Sequence, residues 1–306
     1  MKILITGIAG FVGSALAKKL SGEHQIFGVD NLHSGNRENV HSNVNWYEKD
    51  IRDTETFISL PKDIDIVVHL AAQTSGEKSF DDPIYDMQTN IQGTYNAYDY
   101  ARQCQSRLFI NMSSMSVYGN IISDSLISET IQHSPQSPYG NSKLSAERLL
   151  GILEDVFNVP VINLRLFNAY GPGQNLDELK QGMVSIYLFY LLRSSEIVIK
   201  GSLERVRDLV FLDDIIDALL RLIDSDPVLT GTYNLCTGRT TRVSGLLDKL
   251  KEISGIDKPI ICKPATLGDI NGFAGDPAGL RQAIGWTAKT KLEDGLSKMI
   301  NFYKNK

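Results

Sequence analysis

Short apolar runs alternate with amphipathic segments through the first half of this 306-residue chain, and few folds accept that rhythm. Residues 2–6, 26–30, 64–69, 108–112 and 161–166 are apolar without the strict alternation of a half-exposed strand, and a weaker run lies near 44–48. Between them, 12–20, 88–101 and 139–157 read as helices. Strands that are apolar on both faces and separated by helices imply a parallel sheet covered on each side. Right-handed crossovers then predict an α/β, doubly wound parallel sheet. After Leu166 the rhythm loosens at Gly171, Pro172 and Gly173. This divides the chain into a first domain over 1–166 and a smaller α/β C-terminal lobe over 167–306. The run "RDLVFLDDIIDALLRLI" reads as a strand and helix returning to the first domain, within a segment near 207–236.

The loop after the first strand is "TGIAGFVG", with Gly7, Gly10 and Gly13 spaced G-x-x-G-x-x-G just before a helix. Glycines allow a tight turn and let backbone N–H groups approach a pyrophosphate, and the helix N-terminus adds further donors. Asp30 ends the second strand twenty residues beyond Gly10, where a carboxylate can accept hydrogen bonds from both hydroxyls of an adenosine ribose. It would also repel a 2′-phosphate, so NAD is expected rather than NADP. Arg37 nearby is a contrary signal, since an arginine can receive that phosphate. "KDIRD" at 49–53 follows the third strand, where Asp50 and Ile51 are placed to edge the adenine.

Tyr139 and Lys143 stand one helical turn apart in "SPYGNSK". A free phenol has a pKa of about 10 and is a poor base at neutral pH. An adjacent ammonium and the positive charge of an oxidised nicotinamide both favour the phenolate. Tyr139 is thereby a candidate proton-transfer group, with Lys143 expected to lower its pKa. Alone, the pair also fits a plain helix surface. "INMSSMSVYG" ends a neighbouring strand, and ligands of open α/β sheets bind beyond the carboxyl ends of strands. Ser113, Ser114 and Ser116 project hydroxyls there, able to donate and accept.

Composition excludes several classes. The net charge of −5 offers no general basic field, so nucleic acid is not an expected partner. Cys104, Cys236 and Cys262 are far apart and suggest neither a disulfide framework nor a zinc ribbon, which points to a reducing compartment. The five histidines form no metal motif, so no metal is expected. The start of the chain lacks a signal-peptide layout. The longest apolar stretch, 182–192, is too short to span a bilayer and reads as a buried helix; no membrane partner is expected.

Together "TGIAGFVG", "VDNLHSG", "DIRD", "HLAAQ", "NIQGT", "SSMSVYG", "YGNSK", "LRLFNAYGPGQ" and "RDLVFLDD" resemble an extended short-chain dehydrogenase/reductase of the NAD-dependent epimerase/dehydratase family, over nearly the whole chain. The resemblance implies a Rossmann domain holding NAD. Its cofactor contacts would come from Phe11 and Val12, from Asn31, Ser34 and Gly35 after the second strand, from Leu70, Ala71 and Ala72, and from Asn90. The catalytic positions fall on Ser114, Tyr139 and Lys143. Asn168 and Arg207 match positions that hold a nucleotide-sugar diphosphate, and an amide and a guanidinium suit phosphate oxygens. Ser116, Met183, Val184 and Phe273 complete the implied substrate side, with Met183 and Val184 lining a base pocket or packing a helix start.

Dehydratases of the family carry Asp-Glu after the catalytic hydroxyl, and decarboxylases usually keep the Glu. Met115 and Ser116 stand there and cannot act as that acid and base. What remains is hydride transfer with one proton shuttle. The expected activity is a UDP-glucose/UDP-galactose-type 4-epimerase working through a 4-keto intermediate; a 4-ketosugar reductase, or an epimerase of an N-acetyl or uronate sugar, is the alternative. A redox-sensing binder need not keep Ser114, Tyr139 and Lys143 together. Thr266 stands where such epimerases often carry a phosphate-contacting arginine, and Thr74 replaces a lysine found in some. Phe273 is bulk expected to exclude N-acetylated sugars. The family also implies a homodimer, paired through helices over 88–101 and 139–157, while the cysteine usage above leads us to expect a cytoplasmic location.

Overall fold

The computed structural model describes residues 1–305 except residue 124. β1 (Lys2–Thr6) passes through the glycine loop into α1 (Phe11–Leu20), followed by β2 (Gln25–Asp30), β3 (Asn45–Glu48) and β4 (Ile66–His69). Two short helices, α2 (Lys78–Asp81) and α3 (Pro83–Met87), lead through a π-helical stretch, Gln88–Gln92, into α4 (Gly93–Gln103). The helix expected over 88–101 therefore begins earlier and changes its winding. Asp82 caps the new start by accepting from the Tyr85 N–H at 2.9 Å, and Pro83 occupies the first helical position. β5 (Leu108–Ser114), α5 (Pro138–Phe157) and β6 (Val161–Leu166) complete the first rhythm.

The chain continues as β7 (Asn168–Tyr170), α6 (Met183–Arg193), β8 (Ile197–Lys200), β9 (Val206–Arg207), β10 (Leu209–Phe211) and α7 (Leu212–Ile223). β11 (Gly231–Leu235), β12 (Thr241–Arg242), α8 (Val243–Ser254), β13 (Ile260–Lys263), α9 (Ala278–Ile284) and α10 (Leu292–Lys304) follow. Seven parallel strands form one sheet in the order β11-β6-β5-β4-β1-β2-β3. This is the expected doubly wound α/β arrangement, with β11 as an added edge. The strand at 209–211 does not join it: β10 pairs with β7, and the edge beside β6 is taken by β11.

Alternation along each strand feeds two cores. Ile3 and Ile5 of β1 pack on one face with Leu16 of α1 and Leu219 of α7, while Leu4 packs on the other with Ala97, Tyr98 and Ala101 of α4. Each such aliphatic side chain contributes roughly 1.5–3 kcal/mol through burial. A separate core joins Val184, Leu188 and Leu191 of α6 to β8, α8 and α10. Among the described residues no helix is long and apolar enough to cross a membrane. The order of the sheet reverses between β1 and β4, and the principal cleft opens beyond the carboxyl ends of these strands.

Candidate active site

One end of the cleft is built by the loops after β1 and β2. Gly7, Gly10, Phe11, Val12 and Gly13 line it, joined by Asp30, Asn31, Ser34 and Gly35, by Ile51, and by Leu70, Ala71 and Ala72. Gly7 has φ +73°, and a Cβ there would meet the Ala71 nitrogen at 2.7 Å. Only glycine permits that left-handed turn in so little space. Asp30 accepts from the N–H groups of Ala9 and Leu32, both at 2.9 Å, and burial raises its pKa against the pull of these bonds. The carboxylate is thus fixed at the rim with lone pairs to spare. Thr89 also lines the cleft, and its buried hydroxyl has no partner. A glycine cradle, a fixed carboxylate and an unspent hydroxyl fit the dinucleotide expected here.

Ser114, Ser116, Tyr139 and Lys143 meet in the middle of the cleft. β5 delivers Ser114 at its last residue. α5 starts at Ser137, whose Oγ accepts from the Gly140 N–H at 3.1 Å, with Pro138 next, so Tyr139 and Lys143 fall in the first turns. Ser114 Oγ lies 3.2 Å from Ser116 Oγ and is near enough to the phenol to favour its ionised form. Lys143 Nζ donates to the Met112 carbonyl at 2.9 Å. Behind them Asp86 is fully buried, accepting from Ser142 Oγ at 2.5 Å, Gln73 Nε2 at 2.8 Å and Asn90 Nδ2 at 3.1 Å.

The electrostatics correct one expectation. Burial pushes Tyr139 up to about 12; the Ser114 hydroxyl opposes this and the Asp86 charge adds to it. Burial lowers Lys143 to about 8, with Asp86 and Glu147 holding it up. Lys143 is committed to a main-chain carbonyl, and the phenol answers to its burial, to Ser114 and to Asp86. In the chain alone, Lys143 does not bring Tyr139 into the neutral range.

At the far end Asn168, Met183 and Arg207 line the cleft. Arg207 is ion-paired to Asp269 at 3.2 Å, and Asn168 Nδ2 donates to the Asp208 carbonyl at 3.0 Å. Arg205 joins the same carboxylate at 2.5 Å, which sequence reading did not single out. Its one signal was "ERVRD", a second arginine two residues before Arg207.

Four expected site residues do not line the cleft. Val184 faces inward into the second core, because the helix position beside Met183 points the other way. Phe273 is 2% exposed and stacks edge-on against Tyr118 and Phe167, one layer behind the wall. Asn90 is fully buried, bonded to Gln73 and Asp86. Asp50 turns to Arg52 and Asn31, leaving the largely buried Ile51 to border the cleft. Tyr85 and His33, absent from the sequence-based set, do line it.

A family model described as the NAD dependent epimerase/dehydratase family matches residues 3–236. The chain is 32% identical over 315 residues to the UDP-glucose 4-epimerase of Mycolicibacterium smegmatis, covering 100% of this chain and 99% of that one. It matches the crystal structure of a UDP-glucose 4-epimerase with UDP-glucose from Thermotoga maritima with a TM-score of 0.94 at 35% identity, over 100% of this chain and 99% of that one. For the Thermus thermophilus UDP-glucose 4-epimerase complex with NAD the TM-score is 0.92 at 28% identity, over 99% of each chain. This chain belongs to the NAD-dependent epimerase/dehydratase family, NAD-dependent enzymes on a Rossmann-type α/β fold.

Proposed function

We propose that this chain is a UDP-glucose/UDP-galactose-type 4-epimerase, with residues 1–166 holding NAD and 167–306 holding most of the nucleotide sugar. The observation that carries this is the meeting of Ser114, Tyr139 and Lys143 at the end of β5, between the glycine cradle and the Arg207 end of the cleft. Met115 and Ser116 supply no carboxyl group there, which favours simple hydride chemistry over dehydration.

When bound, NAD supplies a reversible hydride acceptor for sugar C4 and a positive charge that favours the nearby phenolate. Tyr139 takes the proton from the sugar 4-hydroxyl, and Ser114 orients that hydroxyl and relays the proton. Lys143, anchored on Met112, presents its remaining N–H donors to the nicotinamide ribose. The 4-ketosugar then turns over so that C4 would take the hydride back on its opposite face, and Tyr139 returns the proton to O4. Arg207 and Asn168 hold the diphosphate, with Asp269, bonded to both Arg205 and Arg207, fixing the guanidinium in place. Met183 borders the base.

Exposed Ile84 and Met87 of α3, Tyr95 of α4, and Ile152, Val156 and Phe157 of α5 support a homodimer through these helices. Three free cysteines suit a cytoplasmic setting. The test is incubation of purified protein with UDP-glucose, UDP-galactose and their N-acetyl and uronate relatives, without added cofactor, resolved by NMR. Glucose–galactose interconversion is expected. Turnover only with consumption of added NAD(P)H and a ketosugar would replace this reading by the reductase.

A further inference from the structure

At the ends of β2 and β3, three separate segments converge on one aromatic ring. Tyr85 of α3 lies 4.9 Å, centroid to centroid, from the His33 ring in the loop after β2, tilted by 36°. On the same ring, the Arg52 guanidinium sits 4.7 Å from the centroid. Arg52 is fixed in turn by two bonds to Asp50, at 3.0 and 2.8 Å, and Asn31 Nδ2 ties the same carboxylate to the β2 loop at 2.8 Å.

The platform beneath is rigid. Asn96 Nδ2 donates to the carbonyls of Ile51 and Arg52 at 2.9 and 3.0 Å, and Gln92 Nε2 donates to Arg52 at 3.0 Å. Gly93 lets the π-helical stretch settle on this loop, since a Cβ there would meet Ile51 Cδ1 at 2.6 Å. One turn beyond Tyr85, Thr89 presents a buried hydroxyl without a partner to the same cleft; the residue is 7% exposed. A buried polar atom left unmatched in a cleft wall is expected to find its partner in a ligand.

Asp30 marks this end as the adenosine end, and His33 follows it by three residues. We propose that His33, Tyr85 and Arg52 form a clasp across the adenosine half of NAD, that Thr89 Oγ1 hydrogen-bonds to it, and that this clasp sets how long the cofactor stays bound. The clasp rests on the reading that NAD occupies this cleft. It gives a physical reason for a cofactor retained from one turnover to the next: release requires opening an aromatic pair and a cation–π contact held by two loops and a helix.

The experiment loads the protein with NAD, passes it through gel filtration, and follows cofactor loss on dilution. Wild type, Tyr85→Ala, Tyr85→Phe, His33→Ala and Thr89→Val are compared, with ADP-ribose as the adenosine-side probe by calorimetry. Tyr85→Ala is expected to speed NAD loss about tenfold and weaken ADP-ribose in parallel, with Tyr85→Phe close to wild type. Exposed His33→Ala, which carries little folding risk, and Thr89→Val should each speed loss several-fold. NAD retention unchanged in Tyr85→Ala and His33→Ala, or loss as fast in Tyr85→Phe as in Tyr85→Ala, overturns the clasp. A folded wild type that binds neither NAD nor ADP-ribose overturns the underlying reading instead.

Discussion

Lys143 reaches from the start of α5 to the carbonyl of Met112 in β5, 2.9 Å away, and is buried there beside Tyr139. The ammonium is held by a main-chain dipole and by the charges of Asp86 and Glu147 rather than by water. This contact is one of the ties, with the Ser113–Glu147 hydrogen bond, between α5 and the strand that carries Ser114.

Such a placement favours chemistry over stability. Burial lowers Lys143 from 10.5 to about 8. Below about pH 8 both states carry the proton, and the folded state bears the full desolvation cost. Between about pH 8 and 10.5 the unfolded chain binds more protons than the folded one, so stability from this group rises with pH. Lys143→Met is therefore expected to be more stable than wild type at pH 7, by roughly 1–3 kcal/mol, while losing activity. The difference should shrink toward pH 10 in urea titrations run across that range.

Ser142→Ala removes the hydroxyl that donates to Asp86 at 2.5 Å, leaving one oxygen of a fully buried carboxylate short of a partner. A loss of about 1–3 kcal/mol is expected. Chemical denaturation at pH 7 measures it directly.

Phe273→Ala is expected to destabilise the fold by about 3–5 kcal/mol, because the ring is packed against Tyr118 and Phe167. The milder Phe273→Leu should lower the melting temperature and leave the preference between plain and N-acetylated sugars unchanged. A shift in that preference would show that the ring acts on the sugar after all.

Ile152→Glu combined with Val156→Glu places charges on an exposed apolar face of α5, where both side chains are 62% exposed. Light scattering should report a monomer for the double variant and a dimer for wild type. A monomeric wild type would remove the homodimer from the account.

Much of the fold was legible in the sequence, and the reasons are local. β1 reads Lys2–Thr6 because its apolar run is bounded by Gly7, and α5 begins at Ser137 and Pro138, both strong start signals. The π-helical stretch at Gln88–Gln92 was not legible, because its winding answers to packing against the 50–52 loop rather than to periodicity. In the site, short motifs with fixed backbone roles, such as Gly7 and Asp30, could be placed by number. Val184 and Phe273 could not, since a one-residue rotation on a helix or one packing layer separates a wall from a core. Tyr85 was missed because its place depends on a helix and two loops distant in sequence meeting at one ring. The pKa of Tyr139 also escaped sequence reasoning: i,i+4 spacing gives proximity to Lys143 but not the degree of burial that pushes the phenol to about 12.

The central claim is that Tyr139 carries the proton at sugar C4. The direct measurement is the rate of UDP-glucose to UDP-galactose conversion by Tyr139→Phe, on protein shown by absorbance and gel filtration to hold NAD as wild type does. The account predicts a fall of at least about a hundredfold with cofactor retention and melting temperature unchanged. Turnover equal to wild type in the NAD-loaded variant would contradict it.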